Sequence, residues 1–237
     1  METAEKPRRF YHAVSVEPSD GGFQVMLDGR APRSPGRQPL KLPTAALAEA
    51  VADEWRTQTT VIDLAIMPMS RLAYTVLDRS AEARIGMSEE VGRYAGSDLL
   101  CYLAEGPETL VAREQAAWDP WREWAAVALQ LPLLCTAGIT PLAQPPASVA
   151  RAEQLALDLD DFSLTGLAYA VALYGSAVLA FAVQRGALSA EEAFATSRID
   201  EVFQEERWGV DDEAAARTAR RAQDAAMIGR WFGALRG

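Results

Sequence analysis

From Phe10 to about Arg84 the hydrophobic and polar positions read as a β-rich module, and from about Ser88 the pattern becomes helical. Tyr11-His-Ala-Val-Ser-Val16 and Phe23-Gln-Val-Met-Leu27 carry the aromatic and β-branched residues that suit a pleated, half-buried surface, so both are predicted strands. Asp20-Gly21-Gly22 between them reads as a hairpin turn, and Asp28-Gly29 is a second hairpin signal. Pro32, Pro35 and Pro39 exclude a central strand in the next stretch, which is predicted as an edge or loop, and Leu40-Lys-Leu42 returns to the sheet. Thr44 is placed to cap a helix ending at Trp55 or Thr57, with Leu47, Val51, Glu54 and Trp55 at helical spacing. Thr60-Val-Ile62 is a short strand candidate. Met67-Pro-Met-Ser-Arg-Leu72 leads into a helix predicted over Ser70 to Ile85.

In the helical part, Asp98 to Leu103 is a short apolar run of ambiguous type. Pro107 suits the first turn of a helix ending near Trp118. Asp119-Pro120 is predicted to start the next helix, with Asp119 as its cap. Trp118, Trp121 and Trp124 recur every third residue and are expected in the core. Leu131 to Ile139 reads as loop or short strand, and Pro141 to Pro146 as a linker. Four helices follow in this reading: Ala147 to Asp158, Ser163 to Arg185, Ser189 to Trp208, and Asp211 to Leu235. Ser189 and Glu192 match a capping box. Asp211, Asp212 and Glu213 place negative charge at the N-terminus of the last helix. The predicted fold class is α+β, with a small β-rich N-terminal domain (1–86) and a larger, mainly helical C-terminal domain (87–237).

The most informative stretch is Ser197 to Gly209. At about 100° per residue, Ile199, Val202 and Phe203 share one face of its helix, and Glu206 falls in the same arc. Trp208 lies roughly opposite, beside Glu201 and Glu205. A helix with interests on two sides is expected to lie between a core and a partner.

Composition narrows the function. The chain has 237 residues, 49% hydrophobic and 24% charged, enough to bury a sizeable core. Its net charge of −10 lacks the basic footprint of a nucleic-acid binder and argues against an anionic membrane surface as partner. A partner with basic patches suits it better. Leu164 to Gln184 is uncharged and long enough to span a bilayer, but it is rich in Ala, Gly and Ser and has acidic residues at one end. A buried helix is therefore expected and no stable membrane insertion.

His12 is the sole histidine, which leaves little room for Ser-His-Asp or Cys-His catalysis, or for a zinc site. Cys101 and Cys135 lie in unrelated sequence contexts and read as buried apolar residues in a reducing compartment. Met1 to Phe10 is charged and has no signal-peptide core. Asp200/Glu201 and Glu205/Glu206 are carboxylate pairs of the kind a hydrolase uses, which keeps an enzyme as the alternative reading. Neighbouring helical residues point about 100° apart, however, so neither pair converges on one substrate atom. Arg30, Arg33 and Arg37 form a basic loop without the Gly-rich strand-to-helix turn of phosphate sites.

Several colinear blocks resemble the assembly chaperones of the F₁ sector of ATP synthase that handle the α subunit, the ATP-twelve family. They are Phe10-Tyr11; Gly22 to Arg30; Leu42-Pro43 with Glu54-Trp55; Met67 to Leu72; Tyr94 to Tyr102; Trp118-Asp-Pro120; and Gln204 with Trp208-Gly209. The resemblance implies a β-rich N-terminal domain, a helical C-terminal domain, no catalysis and no cofactor. It implies that the chain binds the unassembled α subunit as a monomer until a β subunit replaces it. The implied setting is the bacterial cytoplasm, or the mitochondrial matrix in eukaryotic relatives. The family's late motif, an acidic residue, Gln three positions on, then Trp-Gly, is matched by Glu201, Gln204, Trp208 and Gly209. Glu205 stands where relatives commonly have an aliphatic residue. A partner-binding role thus passes to Glu201, Gln204 and Trp208, and also to Glu206. Local readings stand beside it: Glu201 and Glu205 as solvated charges, Trp208 as a core or capping aromatic, Glu206 paired with Arg217 or Arg220.

Overall fold

A computed structural model of the chain describes residues 6–79 and 81–237. The fold is α+β, as the hydrophobic pattern predicts. It divides into two compact units, the first running to Ser80 and including Arg230–Gly237, the second comprising Ala81–Gly229.

In the first unit, β1 (Val14–Ser19), β2 (Gly22–Leu27) and β3 (Lys41–Leu42) form an antiparallel sheet in that order. Ser19 pairs with Gly22 across the first turn. At the second turn, Asp28 and Gly29 both have positive φ and Leu27 bridges to Arg30. Two left-handed central residues are what a tight hairpin turn requires, and Asp-Gly supplies them at low strain. Tyr11, expected within the first strand, instead packs edge-on against Trp55 and donates its hydroxyl to the Trp55 carbonyl at 2.7 Å. Thr60 to Ile62 forms no strand; Val61 makes one isolated bridge to Arg8.

The helix α1 (Ala45–Arg56) packs on the sheet and buries Leu47, Val51 and Trp55. The Thr44 hydroxyl caps it by accepting from the Leu47 N–H at 3.1 Å, and donates to the Ala234 carbonyl at 2.6 Å. Glu54 is buried among these apolar residues for a specific reason. The next helix, α2 (Pro68–Leu77), has no side-chain cap of its own. Glu54 supplies one, accepting from the N–H groups of Met69 and Ser70 at 2.8 Å each and from the Ser70 hydroxyl at 2.7 Å. Burial raises its pKa despite these donors. The helix predicted over Ser70 to Ile85 is in fact two, α2 and α3 (Ala81–Gly96). The Asp78 carboxylate accepts from the Ser34 hydroxyl and from the Gly36 N–H, which anchors the chain where the first helix stops.

The second unit is built around α6 (Asp161–Tyr174) and α7 (Ala177–Gln184). Together they occupy the stretch that was long enough to span a bilayer, but they are separate helices. Gly175 adopts φ +66 and closes α6; the Ser176 hydroxyl accepts from Leu179 N–H at 3.1 Å and opens α7. Among the described residues no helix is long and apolar enough to cross a membrane. Leu164, Leu167, Val171, Val178 and Phe181 are buried. Around this pair pack α3, α4 (Glu108–Ala128), α5 (Pro146–Leu157) and α8 (Ala190–Thr196). Gly92 of α3 faces the Glu153 side chain of α5, which a Cβ at that position would force to shift.

Two further helix predictions need correction. The first helix expected to end near Trp118 continues through Pro120 to Ala128 as α4. An internal proline costs about 3 kcal/mol or more. Buried contacts on both sides oppose that cost: Trp118 donates its indole N–H to the Thr196 carbonyl at 2.9 Å, and Ala125 is buried. Of the three tryptophans predicted in the core, only Trp118 is fully buried, while Trp121 and Trp124 are half-buried and meet edge to face at 6.0 Å. The helix expected over Ser189 to Trp208 breaks at Ser197–Arg198 into α8 and α9 (Ile199–Trp208), where the Ser197 hydroxyl donates back to the Phe194 carbonyl at 2.8 Å. The Ser189/Glu192 capping box is present.

Between α3 and α4, a 3₁₀ turn (Leu99–Cys101) leads into β4 (Tyr102–Leu103), which pairs in parallel with β5 (Thr136–Ala137). The last helix, α10 (Asp212–Arg236), is capped by Asp211, whose carboxylate accepts from the Ala214 N–H at 2.7 Å.

Candidate functional site

The candidate site residues all lie on α9, whose seat on α4 is fixed by Phe203. That ring is 5% exposed and is met by two guanidinium groups, Arg207 at 4.2 Å and Arg113 of α4 at 5.3 Å from its centroid. The Arg113 contact ties α9 to α4, while the Arg207 contact lies within α9. The buried stripe of α9 is narrower than its hydrophobic pattern suggests: Ile199 is half-buried and Val202 is exposed.

One charge pair stays within the α9 segment and a second crosses to α4. Arg198, at the start of α9, donates to Glu205 at 2.5 Å, with side-chain exposures of 12% and 28%. Glu206 accepts from Arg113 at 2.7 Å. Its partner is therefore on α4, not Arg217 or Arg220 of the last helix. Both groups of that pair are about half exposed, so solvent screens it. Arg113→Ala is expected to lower stability by less than about 1 kcal/mol. A loss of several kcal/mol in chemical denaturation would show that the pair is instead an essential clamp.

The opposite side of α9 is different. Glu201, Gln204 and Trp208, at positions i, i+3 and i+7, share one face and are all exposed. Trp208 is 77% exposed, which removes the reading of it as a core aromatic. Val210, just beyond the helix, is 50% exposed. Gln204 donates to Asp200 at 3.0 Å. Among the described residues the side chains of Glu201 and Trp208 make no hydrogen bond or ion pair. Gly209 ends the helix at φ +80. The structure thus brings Glu201, Gln204 and Trp208 to one surface and gives Glu206 to the flank that meets α4.

Glu205 and Glu206 each face a different arginine. Among the described residues no group of three or more His, Cys, Asp or Glu is placed to hold a metal ion. Sequence reasoning missed Arg113 and Arg198 as partners. An arginine gives no local sign of a carboxylate many residues away.

Fold and site together define an α+β protein whose candidate site is a helix face displayed to solvent. The chain belongs to the family of the ATP12 chaperone protein, whose profile matches residues 8–126. It is similar to Atp12 of Paracoccus denitrificans, known from a crystal structure, at 42% identity over 96% of this chain and 97% of that one, with a TM-score of 0.90. A candidate chaperone of Agrobacterium tumefaciens, also known from a crystal structure, is 38% identical over 97% of this chain and 86% of that one, again with a TM-score of 0.90. The mitochondrial protein atp12 of Schizosaccharomyces pombe is 26% identical over 221 residues, covering 87% of this chain and 75% of that protein.

Proposed function

We propose that the chain is a chaperone for the unassembled α subunit of the ATP synthase F₁ sector, and that the exposed face of α9 forms part of the contact. Membership in the ATP12 chaperone family carries this reading. The exposure of Glu201, Gln204 and Trp208 on one face supports it. A subunit outside its complex presents an apolar interface that promotes aggregation. Trp208 contributes contact area to such an interface, and Glu201 meets an Arg or Lys of the partner, adding orientation and association rate more than affinity. Glu206, already paired with Arg113, enters only if the partner displaces that arginine. The work is binding and not catalysis. The chain acts as a monomer in the bacterial cytoplasm, where a β subunit releases it by taking its place.

The test is co-purification with isolated α subunit, with β subunit as the control, together with light scattering of α on warming. The expected result is capture of α but not β, and suppressed scattering. Capture of neither, or unchanged aggregation, would reject this function.

A further inference from the structure

The two cysteines, expected in unrelated surroundings, are neighbours. In the parallel ladder Tyr102 is opposite Thr136 and Leu103 opposite Ala137, so one step back places Cys101 opposite Cys135. Both are free thiols, and the Cys135 group lies close enough to raise the Cys101 pKa. Adjacent strands lie about 4.8 Å apart, which is within the Cα separation that a disulfide spans. The two differ in access: Cys101 is fully buried and Cys135 is exposed.

We propose that Cys101 and Cys135 form a redox-active dithiol that a peroxide converts to a disulfide. The exposed Cys135 sulfur attacks one peroxide oxygen and breaks the O–O bond. That oxygen stays on sulfur as a sulfenic acid, and the other leaves and takes up a proton as water. The Cys101 sulfur then attacks the Cys135 sulfur, loses its proton and expels the second water. Two thiols lose two electrons, and hydrogen peroxide is reduced to two waters. A dithiol reductant reverses the change by thiol–disulfide exchange. Burial and the nearby buried Asp98 push the Cys101 thiol up, so peroxide does not oxidise it directly and its attack on the Cys135 sulfur is the slow step. The disulfide would close the loop that contains α4, the helix carrying Arg113 and supporting α9, so the redox state reaches the seat of the candidate site.

The test uses the full chain treated with a small excess of hydrogen peroxide, then thiol counting under denaturing conditions and peptide mapping without reductant. The expected products are loss of both thiols and a cross-linked pair of peptides holding Cys101 and Cys135, reversed by dithiothreitol. Cys135→Ser, an exposed change that leaves the core intact, should make Cys101 at least tenfold slower to oxidise. A chain in which Cys135 goes to sulfenic or sulfinic acid while Cys101 keeps its thiol, or which only dimerises through Cys135, overturns the proposal. So does Cys101 oxidation at an unchanged rate in Cys135→Ser.

Discussion

Asp98→Ala is expected to destabilise the second unit by about 3 kcal/mol, because it orphans several buried donors at once. Asp98 is completely buried. It accepts from the Leu100 N–H at 3.1 Å, which starts the 3₁₀ turn, and from the Val178 N–H at 3.0 Å, at the open end of α7. A helix start leaves N–H groups without intrahelical partners, and here they have no water to turn to. Urea denaturation followed by tryptophan fluorescence reads the effect. A loss below about 1 kcal/mol would mean that these donors find other acceptors.

The same residue makes stability depend on pH. Burial raises the Asp98 pKa from 3.8 to about 6, against the opposing pull of Val178, Ser176, Leu100 and Ala177. The folded value is above the unfolded one, so the native state holds the proton more tightly. The stabilising contribution is complete below about pH 3.8 and is lost as pH rises through about 6. Asp98→Asn cannot titrate there. The stability advantage of the natural chain over Asp98→Asn should therefore shrink by about 3 kcal/mol between pH 4 and pH 7.5. A difference that stays level across that range would show a carboxylate of ordinary acidity.

What the sequence reveals about this fold depends on how far apart the partners are. The Asp28-Gly29 turn, the Thr44 cap and the Ser189/Glu192 box each involve residues within a few positions, and each is present. Gly175-Ser176 is an equally local stop and start signal, but the apolar residues on both sides conceal it. Distance hides the rest. Glu54 reads as a helix position at core spacing, and only the fold brings Met69 and Ser70 to it, 15 and 16 residues on. Asp98 and Val178 are 80 residues apart, Arg113 and Glu206 93 apart. Pro120 illustrates the converse: a strong local breaker is overruled by tertiary packing around Trp118. For the candidate site, helical geometry placed Glu201 and Trp208 on a common side, whereas their exposure could be read only from the fold.

Trp208→Ala is expected to weaken binding of the isolated α subunit by about 2 kcal/mol, roughly 30-fold, while changing stability by less than about 0.5 kcal/mol. The two effects separate because Trp208 is 77% exposed and contributes little to the core. Glu201→Ala is the companion change. It removes a carboxylate from the first turn of α9, where the helix dipole favours it by about 0.3–1 kcal/mol, so a small loss of stability is expected even without a partner. Its effect on α-subunit binding should be smaller than that of Trp208→Ala and should fade as salt is added, as for a rim charge. Titration of each variant against α subunit at low and high salt, beside its thermal midpoint, distinguishes these outcomes. If Trp208→Ala binds like the natural chain, α9 is not the contact, and the chaperone surface lies elsewhere. If instead the midpoint falls with unchanged binding per folded molecule, the exposed face of α9 supports the fold and not the partner.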